Sequence, residues 1–301
     1  MKEIRVGVQW APAMPGPELA AWCRELEALG YFSIGFPDHY FIGREDPFVP
    51  GEPFVSMAYA AASTTSLRLV SIVAANDFRH PALFARTIAS LDLLSGGRIE
   101  AGIGAGWYGP EFEAIGVPFE RAGVRIERLE EALQMIKAYW TSQRFSFEGK
   151  HYRTDELPGL PETVQQPHPP ILIGAGGDRM LRLAGRHADV VGLTSSLRDF
   201  ENRAAMMEEM KPESVSRKIS IVLQAARDAE RDPDSITLQT QINVIDFDGE
   251  DPGHLWALTG EPSRMIDSLQ ARREMGITYH MLRERNIDRI REFAEKVVSK
   301  L

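Results

Sequence analysis

Leu91–Gly116 reads LDLLSGGRIEAGIGAGWYGPEFEAIG, and its periodicity sets the fold class. An apolar helix pattern (Ile88, Leu91, Leu94) stops at Ser95-Gly96-Gly97. The strand pattern Arg98–Ile103 follows, ends in Gly104-Ala105-Gly106-Trp107, and gives way to a new helix start at Pro110-Glu111-Phe112. Gly102, Gly104 and Gly106 recur at every second residue, so on a strand they share one face. Two readings of that face are open. It is a barrel corner or bulge, or a wall that something flat approaches closely. Trp107 and the helix start, just past the strand's carboxyl end, favour a cofactor wall.

The same strand–helix rhythm runs outward in both directions. Strand patterns fall at Ile4–Trp10, Phe32–Phe36, Leu67–Val73, Arg98–Ile103, Ile171–Gly174, Val190–Leu193, Thr237–Val244 and Ile277–Met281. Helical patterns lie between and after them, at Glu18–Leu29, Phe54–Ala62, Pro81–Leu94, Arg121–Trp140, Arg179–Arg186, Glu213–Arg231, Pro262–Met275 and Asp288–Val298. Alternation of this kind implies a parallel sheet, and eight units imply a single closed (β/α)8 TIM barrel over residues 1–301. Two stretches break the rhythm: Phe145–Pro170, a hairpin pattern then a proline-rich connector, and the acidic Phe247–Gly260. Loops of that length read as lids, substrate walls or disordered segments.

Composition narrows the function. The 43 acidic and 34 basic residues give a net charge of −9 and are interspersed, which argues against nucleic acid or an anionic membrane as partner. No apolar run is long enough to span a bilayer. MKEIRVGVQW enters a strand pattern directly, without signal-peptide anatomy, and the single Cys23 suits a reducing compartment, so a cytoplasmic protein is expected. Cys23 itself reads as a packing residue. The seven histidines have no HxxxH or HExxH spacing, so no metal is expected.

In such barrels function gathers at the carboxyl ends of the strands. Those ends carry Gln9-Trp10, Asp38-His39, Ser71–Asp77, Gly104–Trp107, Gly174–Gly177, Thr194-Ser195 and His280–Arg283. His39 is the candidate acid–base group, with Asp38 beside it to tune it or to bind a ligand ring; the bland alternative is a rim histidine in ordinary loop hydrogen bonds. Gly174-Ala175-Gly176-Gly177, between a strand and a helix, is either a phosphate cradle or a tight turn. It lacks GxGxxG spacing, so no Rossmann site is read there. Arg79 and Arg44 could attract a polyanionic tail, Gln9 and Arg283 could line a substrate pocket, His80 reads as a helix cap, and the strand ends offer no lysine.

Four pieces together resemble the luciferase-like monooxygenase family, in its branch that uses the deazaflavin coenzyme F-420. They are the Gly102–Trp107 run, Gly35-Phe36-Pro37-Asp38-His39, Asn76-Asp77-Phe78-Arg79-His80-Pro81, and Pro169–Gly177 with Ala188-Asp189-Val190-Val191-Gly192 after it. The resemblance implies the same barrel, Asp38 in contact with the coenzyme, and His39 near the carbon that trades the hydride. It also implies a non-prolyl cis peptide near Ser71-Ile72 that supports the deazaflavin. Ser71, Ile72, Val73, Asn76, Gly104, Gly106 and Trp107 would then enclose the ring, and Gly174, Ala175, Gly176 and Gly177 would hold the phosphate. The sugar-phosphate dehydrogenase members have a tryptophan where this chain has Gly43 or Arg44, and a glutamate where it has Trp107. That departure argues against glucose-6-phosphate chemistry and against a glutamate acid from this loop. The expected function is hydride transfer between F-420 and a small organic substrate, in a homodimer paired through the helices at Phe54–Ala62 and Pro81–Leu94. The alternatives are an FMN-dependent monooxygenase, a non-catalytic flavin-binding protein, and a sugar-phosphate isomerase or aldolase on the same barrel.

Overall fold

The computed structural model describes residues 2–9, 12–43, 45, 47–196 and 200–301; the rim positions Trp10 and Arg44 lie outside the described residues. In chain order the elements are β1 (Arg5–Gln9), α1 (Gly16–Ala28), β2 (Ser33–Phe36), α2 (Pro53–Ser63), β3 (Arg68–Ser71), β4 (Ala74–Ala75), α3 (Pro81–Ser95), β5 (Ile99–Gly104), α4 (Gly109–Ala114) and α5 (Ala122–Thr141). A hairpin, β6 (Arg144–Glu148) and β7 (Arg153–Pro158), follows. Then come β8 (Ile171–Ala175), α6 (Asp178–His187), β9 (Val190–Leu193), α7 (Arg203–Glu208), α8 (Pro212–Asp228), β10 (Thr237–Ile242), β11 (Val244–Asp246), β12 (Ala257–Thr259), α9 (Pro262–Glu274), β13 (Ile277–Arg283) and α10 (Ile287–Lys296). All eight expected strands are present, with β3 and β4 as two pieces of one.

The chain gathers into two units. The first comprises Met1–Trp10, Trp22–Gly35 and Leu172–Leu301. Its strands pair in the order β2, β1, β13, β10, β9, β8, and every pair is parallel. Parallel strands covered on both faces need near-continuous apolar sequence, and Val6, Val8, Ile34, Val191, Leu193 and Leu282 are buried accordingly. Tyr279 and Ser33 hydroxyls, 2.6 Å apart, satisfy each other inside this core. Cys23 is fully buried, and burial pushes its thiol up to about 12, which fits a packing residue rather than a reactive one.

The second unit comprises Ala11–Ala21 and Phe36–Ile171. In it β5 pairs in parallel with β3, at Leu69↔Ile99, and with β4, at Ala74↔Ile103. The two pieces are separated at Ile72–Val73, whose peptide bond is cis, one residue beyond Ser71-Ile72. His80 caps α3: its Nδ1 accepts from the Ala82 N–H at 3.2 Å, and Pro81 takes the first helical position, where its missing N–H costs nothing. Gly96 closes the helix with φ 68°, a conformation that glycine adopts freely. Leu129, Leu133, Ile136, Tyr139 and Trp140 form the buried stripe of α5, as their helical spacing predicts.

Neither rhythm-breaking stretch is a loose flap. In the connector after β7, the buried Asp92 carboxylate accepts from the N–H groups of Val164 and Gln165 and from Gln165 Nε2. Gln165 also reaches the Ile99 carbonyl and takes a hydrogen bond from Arg68. Arg68 and Ile99 begin β3 and β5, so this connector is fastened at the amino ends of those strands, away from the carboxyl-end rim. Phe247–Gly260 contains β12, which pairs with β11; the Arg272 guanidinium holds the Leu255 and Ala257 carbonyls. Among the described residues, no helix is long and apolar enough to cross a membrane.

Candidate active site

The second unit assembles its site from the chain just past β2. Asp38 is buried, and a buried carboxylate must be paired. Its Oδ2 accepts from the Ala75 N–H at 2.9 Å and from Arg79 at 2.5 Å, while Oδ1 accepts from the other Arg79 terminus at 2.9 Å. The fork-on-fork geometry is the strong form of this contact. Burial opposes the Arg79 charge, yet the hydrogen bond and the charge of Asp38 outweigh it and hold that guanidinium above its ordinary value. Arg79 also lies over the Phe54 ring at 4.8 Å. It is therefore committed to Asp38, and the expectation that it attracts a polyanionic tail is corrected. Asp38 fastens the post-β2 turn to β4, and it does not act on the histidine beside it.

The carboxylate that does act on His39 is Glu111. His39 Nδ1 lies 2.9 Å from Glu111 Oε1, and the Tyr40 N–H donates to Oε2 at 3.0 Å. The side chains are 14% and 2% exposed. An ionised carboxylate only accepts, so in that pairing Nδ1 carries the hydrogen and Nε2 is not engaged by it. The Trp107 ring meets the imidazole edge to face at 5.7 Å. The sequence reading used Pro110-Glu111-Phe112 only as a helix start, and so missed that Glu111, at the start of α4 and four positions past Trp107, reaches His39. Nothing in the spacing of residues 39 and 111 announces the contact.

The alternate glycines have a packing cause. A Cβ at Gly102 would sit 1.7 Å from the Ser71 carbonyl oxygen, and one at Gly104 would sit 2.9 Å from Val73 Cγ2. Ser71 Oγ both donates to the Gly102 carbonyl and accepts from its N–H. What approaches closely is the neighbouring strand at its break. Gly106, at φ 73°, turns the chain over the Phe112 ring. The bulge reading therefore accounts for Gly102 and Gly104. Asn76 is buried after β4; its amide donates to Asp77 and to the Tyr152 hydroxyl, and its Oδ1 has no hydrogen-bond partner.

The first unit holds the remaining rim residues. Gln241 donates to Gln9 Oε1 at 2.7 Å. Arg283 ends β13 and is exposed, whereas His280 lies mid-strand, fully buried. In the glycine loop, a Cβ at Gly176 would lie 2.0 Å from the Ser195 carbonyl oxygen, so that glycine is required by its own neighbours. Gly177 is different: it caps α6 without a side-chain hydrogen bond, and a Cβ there would meet nothing within 4 Å. Ser195 Oγ and Gln239 Nε2 are buried without partners. The strand-end segments themselves carry no lysine, but one reaches a strand end from α8. Lys218, buried on α8, donates to the Thr194 carbonyl at 2.6 Å and to Glu209 at 2.9 Å. Glu209 also takes both the N–H and the hydroxyl of Ser196; burial opposes its charge, but these bonds and Lys218 together hold its carboxyl below the ordinary range.

Residues 5–251 match the luciferase-like monooxygenase family. The chain belongs to that family. It is 33% identical over 185 residues to the F420-dependent hydroxymycolic acid dehydrogenase of Mycobacterium tuberculosis, a match covering 61% of this chain and 50% of that one. It is 32% identical over 152 residues to the FMNH(2)-dependent dimethylsulfone monooxygenase of Pseudomonas putida, covering 48% and 42%. The chain thus spans half or less of the length of these two relatives. In structure it is similar to the coenzyme F420 dependent tetrahydromethanopterin reductase from Methanopyrus kandleri, with a TM-score of 0.81 over 99% of each chain at 19% identity. That likeness shows the fold to be the (β/α)8 TIM barrel of the luciferase-like family. The relatives of this luciferase-like protein include enzymes of both coenzyme types, F420 and reduced FMN.

Proposed function

We propose that this luciferase-like protein is an oxidoreductase that passes a hydride between coenzyme F-420 and a small organic alcohol or carbonyl compound. The observation that carries the reading is the His39–Glu111 pair beside Trp107. A hydride transfer to or from a carbonyl carbon moves one proton as well, and a histidine whose Nδ1 is held by a buried carboxylate is built to handle it. Two features, each within its own unit, support a coenzyme of this kind: the Trp107 ring could flank a flat ring system, and the open Gly177 cap at the head of α6 suits a phosphate. When bound, the deazaflavin supplies the ring carbon that trades the hydride. His39 Nε2 would take the hydroxyl proton of an alcohol substrate as its O–H bond breaks, and would return it in the reverse direction. Glu111 steadies the imidazole in the tautomer this requires and faces the imidazolium that forms. Asp38 and Arg79 orient the turn that presents His39.

We also propose that the Gly174–Gly177 loop takes the coenzyme phosphate, that residues 1–301 act as one catalytic domain in the cytoplasm, and that two copies pair through α2 and α3. The exposed apolar side chains of Val55, Leu83, Leu93 and Leu94 on those helices support the pairing. A second reading, an FMN-dependent monooxygenase on the same barrel, is supported by the similarity to the Pseudomonas putida enzyme. Calorimetric titration with F-420 and with FMN separates the two. Binding of F-420 at micromolar strength, about −8 kcal/mol, supports the first reading; tight FMN binding without any response to F-420 supports the second; silence from both removes them together.

A further inference from the structure

Trp107 and Glu111 ride on an excursion between two regular elements of the second unit. The chain leaves β5 through Ala105-Gly106 and returns through Glu120 to α5. Within the excursion, α4 is a helix of 6 residues. An isolated helix shorter than about 12–15 residues is marginal in water, so α4, and Glu111 with it, is placed by whatever holds the ends of the excursion. One side chain holds both ends. Arg125, in the first turn of α5 and 8% exposed, donates from Nε to the Ala105 carbonyl at 3.1 Å and from Nη2 to the Gly106 carbonyl at 3.4 Å, where the chain leaves. Its Nη1 donates to the Glu120 carbonyl, where the chain returns. The guanidinium also lies over the Phe119 ring at 3.9 Å. Phe119 meets Phe112 at 5.0 Å, and Phe112 is the ring over which Gly106 turns. Clamp, rings and glycine turn form one continuous support that ends one residue from Glu111.

Stability alone is a poor reason for a cation in this place. Burial lowers the Arg125 guanidinium below its ordinary value, with the Asp77 charge opposing, and its three acceptors are neutral carbonyls. An apolar side chain of similar volume would fill the space without desolvating a charge. It could not span the two ends of the excursion, which the planar fork of a guanidinium does with donors in fixed directions. We infer that Arg125 is a positioning residue for the proton-handling pair: by closing the excursion at both ends it sets Glu111 against His39 Nδ1 and Trp107 beside the imidazole. The consequence for turnover rests on the function proposed above; the coupling of Arg125 to the His39–Glu111 contact does not.

The test reads the contact directly, in the full chain without coenzyme. An imidazole N–H held by a buried carboxylate gives a low-field proton resonance in NMR, and that of His39 Nδ1 is the one missing from His39→Asn. Arg125→Met removes the clamp, and Arg125→Lys keeps the charge but offers one nitrogen in place of a fork. Leu133→Ala, in the core stripe of the same helix, controls for destabilisation as such, and every variant is measured below its own thermal transition. We expect the resonance lost or moved upfield in both Arg125 variants and retained in Leu133→Ala. With F-420 and an alcohol, kcat of the Arg125 variants should fall by about 10- to 100-fold, the scale of a misplaced catalytic group, while Leu133→Ala keeps its turnover. No such resonance in the wild type, an unchanged one in the folded Arg125 variants, its loss from Leu133→Ala as well, or full kcat in variants that have lost it would overturn the assignment. Arg125 variants that lose the resonance in a protein that turns over no alcohol with F-420 would sink the coenzyme reading and leave the clamp standing.

Discussion

Replacing His39 separates proton handling from architecture if two substitutions are compared. In His39→Asn the side-chain amide can donate from nearly the position of Nδ1, so Glu111 Oε1 keeps a partner at the present 2.9 Å. In His39→Ala that oxygen, on a side chain only 2% exposed, loses its donor. An unsatisfied buried polar group costs about 1–3 kcal/mol, and more when charged. With unfolding entropy near 2.1 cal/mol/K per residue over 301 residues, that corresponds to a Tm lower by about 2–5 °C. The Asn variant should unfold within about 1 °C of wild type on the same scale. Both variants lose the group that accepts or gives a proton at Nε2, so both should show kcat reduced by about 10²–10⁴, equivalent to roughly 3–5 kcal/mol of transition-state stabilisation. Turnover is followed through the coenzyme absorbance with the best substrate from a panel of small alcohols, and stability by calorimetry on the same preparations. A His39→Asn enzyme with wild-type kcat would refute the proton role, and equal Tm values for the two variants would refute the assigned Glu111 contact.

Three further outcomes are expected. Gly177→Asp should stabilise the protein slightly, by a few tenths of a kcal/mol, because Asp is a better N-cap than Gly at the present φ −85°, ψ 153°; it should also weaken F-420 at least tenfold by placing a carboxylate at the proposed phosphate site, and unchanged affinity by calorimetry would exclude the loop as that site. Light scattering should return twice the 33.7 kDa chain mass, with Leu94→Asp, at a side chain now 74% exposed, shifting it toward the monomer; a wild-type monomer at micromolar concentration would end the pairing proposal. Stability to urea should fall as pH drops below about 6.5, where an unfolded histidine gains its proton. Burial holds His280 well below its ordinary value, with the Arg272 charge adding to it, and burial lowers His254 as well. The unfolded chain then binds more protons than the folded one, and each such histidine contributes up to about 1.4 kcal/mol per pH unit over the window between its unfolded and folded values. His280→Phe should flatten that slope, and an unchanged slope would assign the acid sensitivity elsewhere.

The barrel was legible because its signal is distributed. Each of the eight strands is a short β-branched run bounded by a turn, and each is found within about two residues of where periodicity puts it, the main exceptions being the ends of Leu67–Val73, broken at Ile72–Val73, and of Thr237–Val244, where β10 stops at Ile242. The glycine pattern was legible only in outline. Alternation placed Gly102 and Gly104 on one face, but whether a ligand or a neighbouring strand presses on that face depends on Ser71 and Val73, about thirty residues earlier in the chain. The same limit applies to the connector before β8. Length alone suggests a lid, while the side chain that fastens it, Asp92, is a single acid inside an apolar helix pattern.

The site was misread where charge pairing, not position, assigns the roles. Adjacent in sequence, Asp38 and His39 look like a dyad, yet neighbouring residues just past a strand point their side chains apart. Asp38 accordingly turns to Arg79 and the Ala75 N–H, and His39 turns to Glu111. Each acid is then explained by the group it neutralises. Asp38 compensates the guanidinium whose burial it makes tolerable, and Glu111 compensates the proton that His39 would carry in mid-reaction. Exchanging those roles would leave Arg79 buried without its carboxylate, which is the more expensive error, since removing one partner of a buried pair costs about 3–5 kcal/mol. That asymmetry gives a reason for Asp38 that needs no ligand at all, whereas Glu111, which also takes the Tyr40 N–H, is the carboxylate that would answer a charge on His39 in the proposed function.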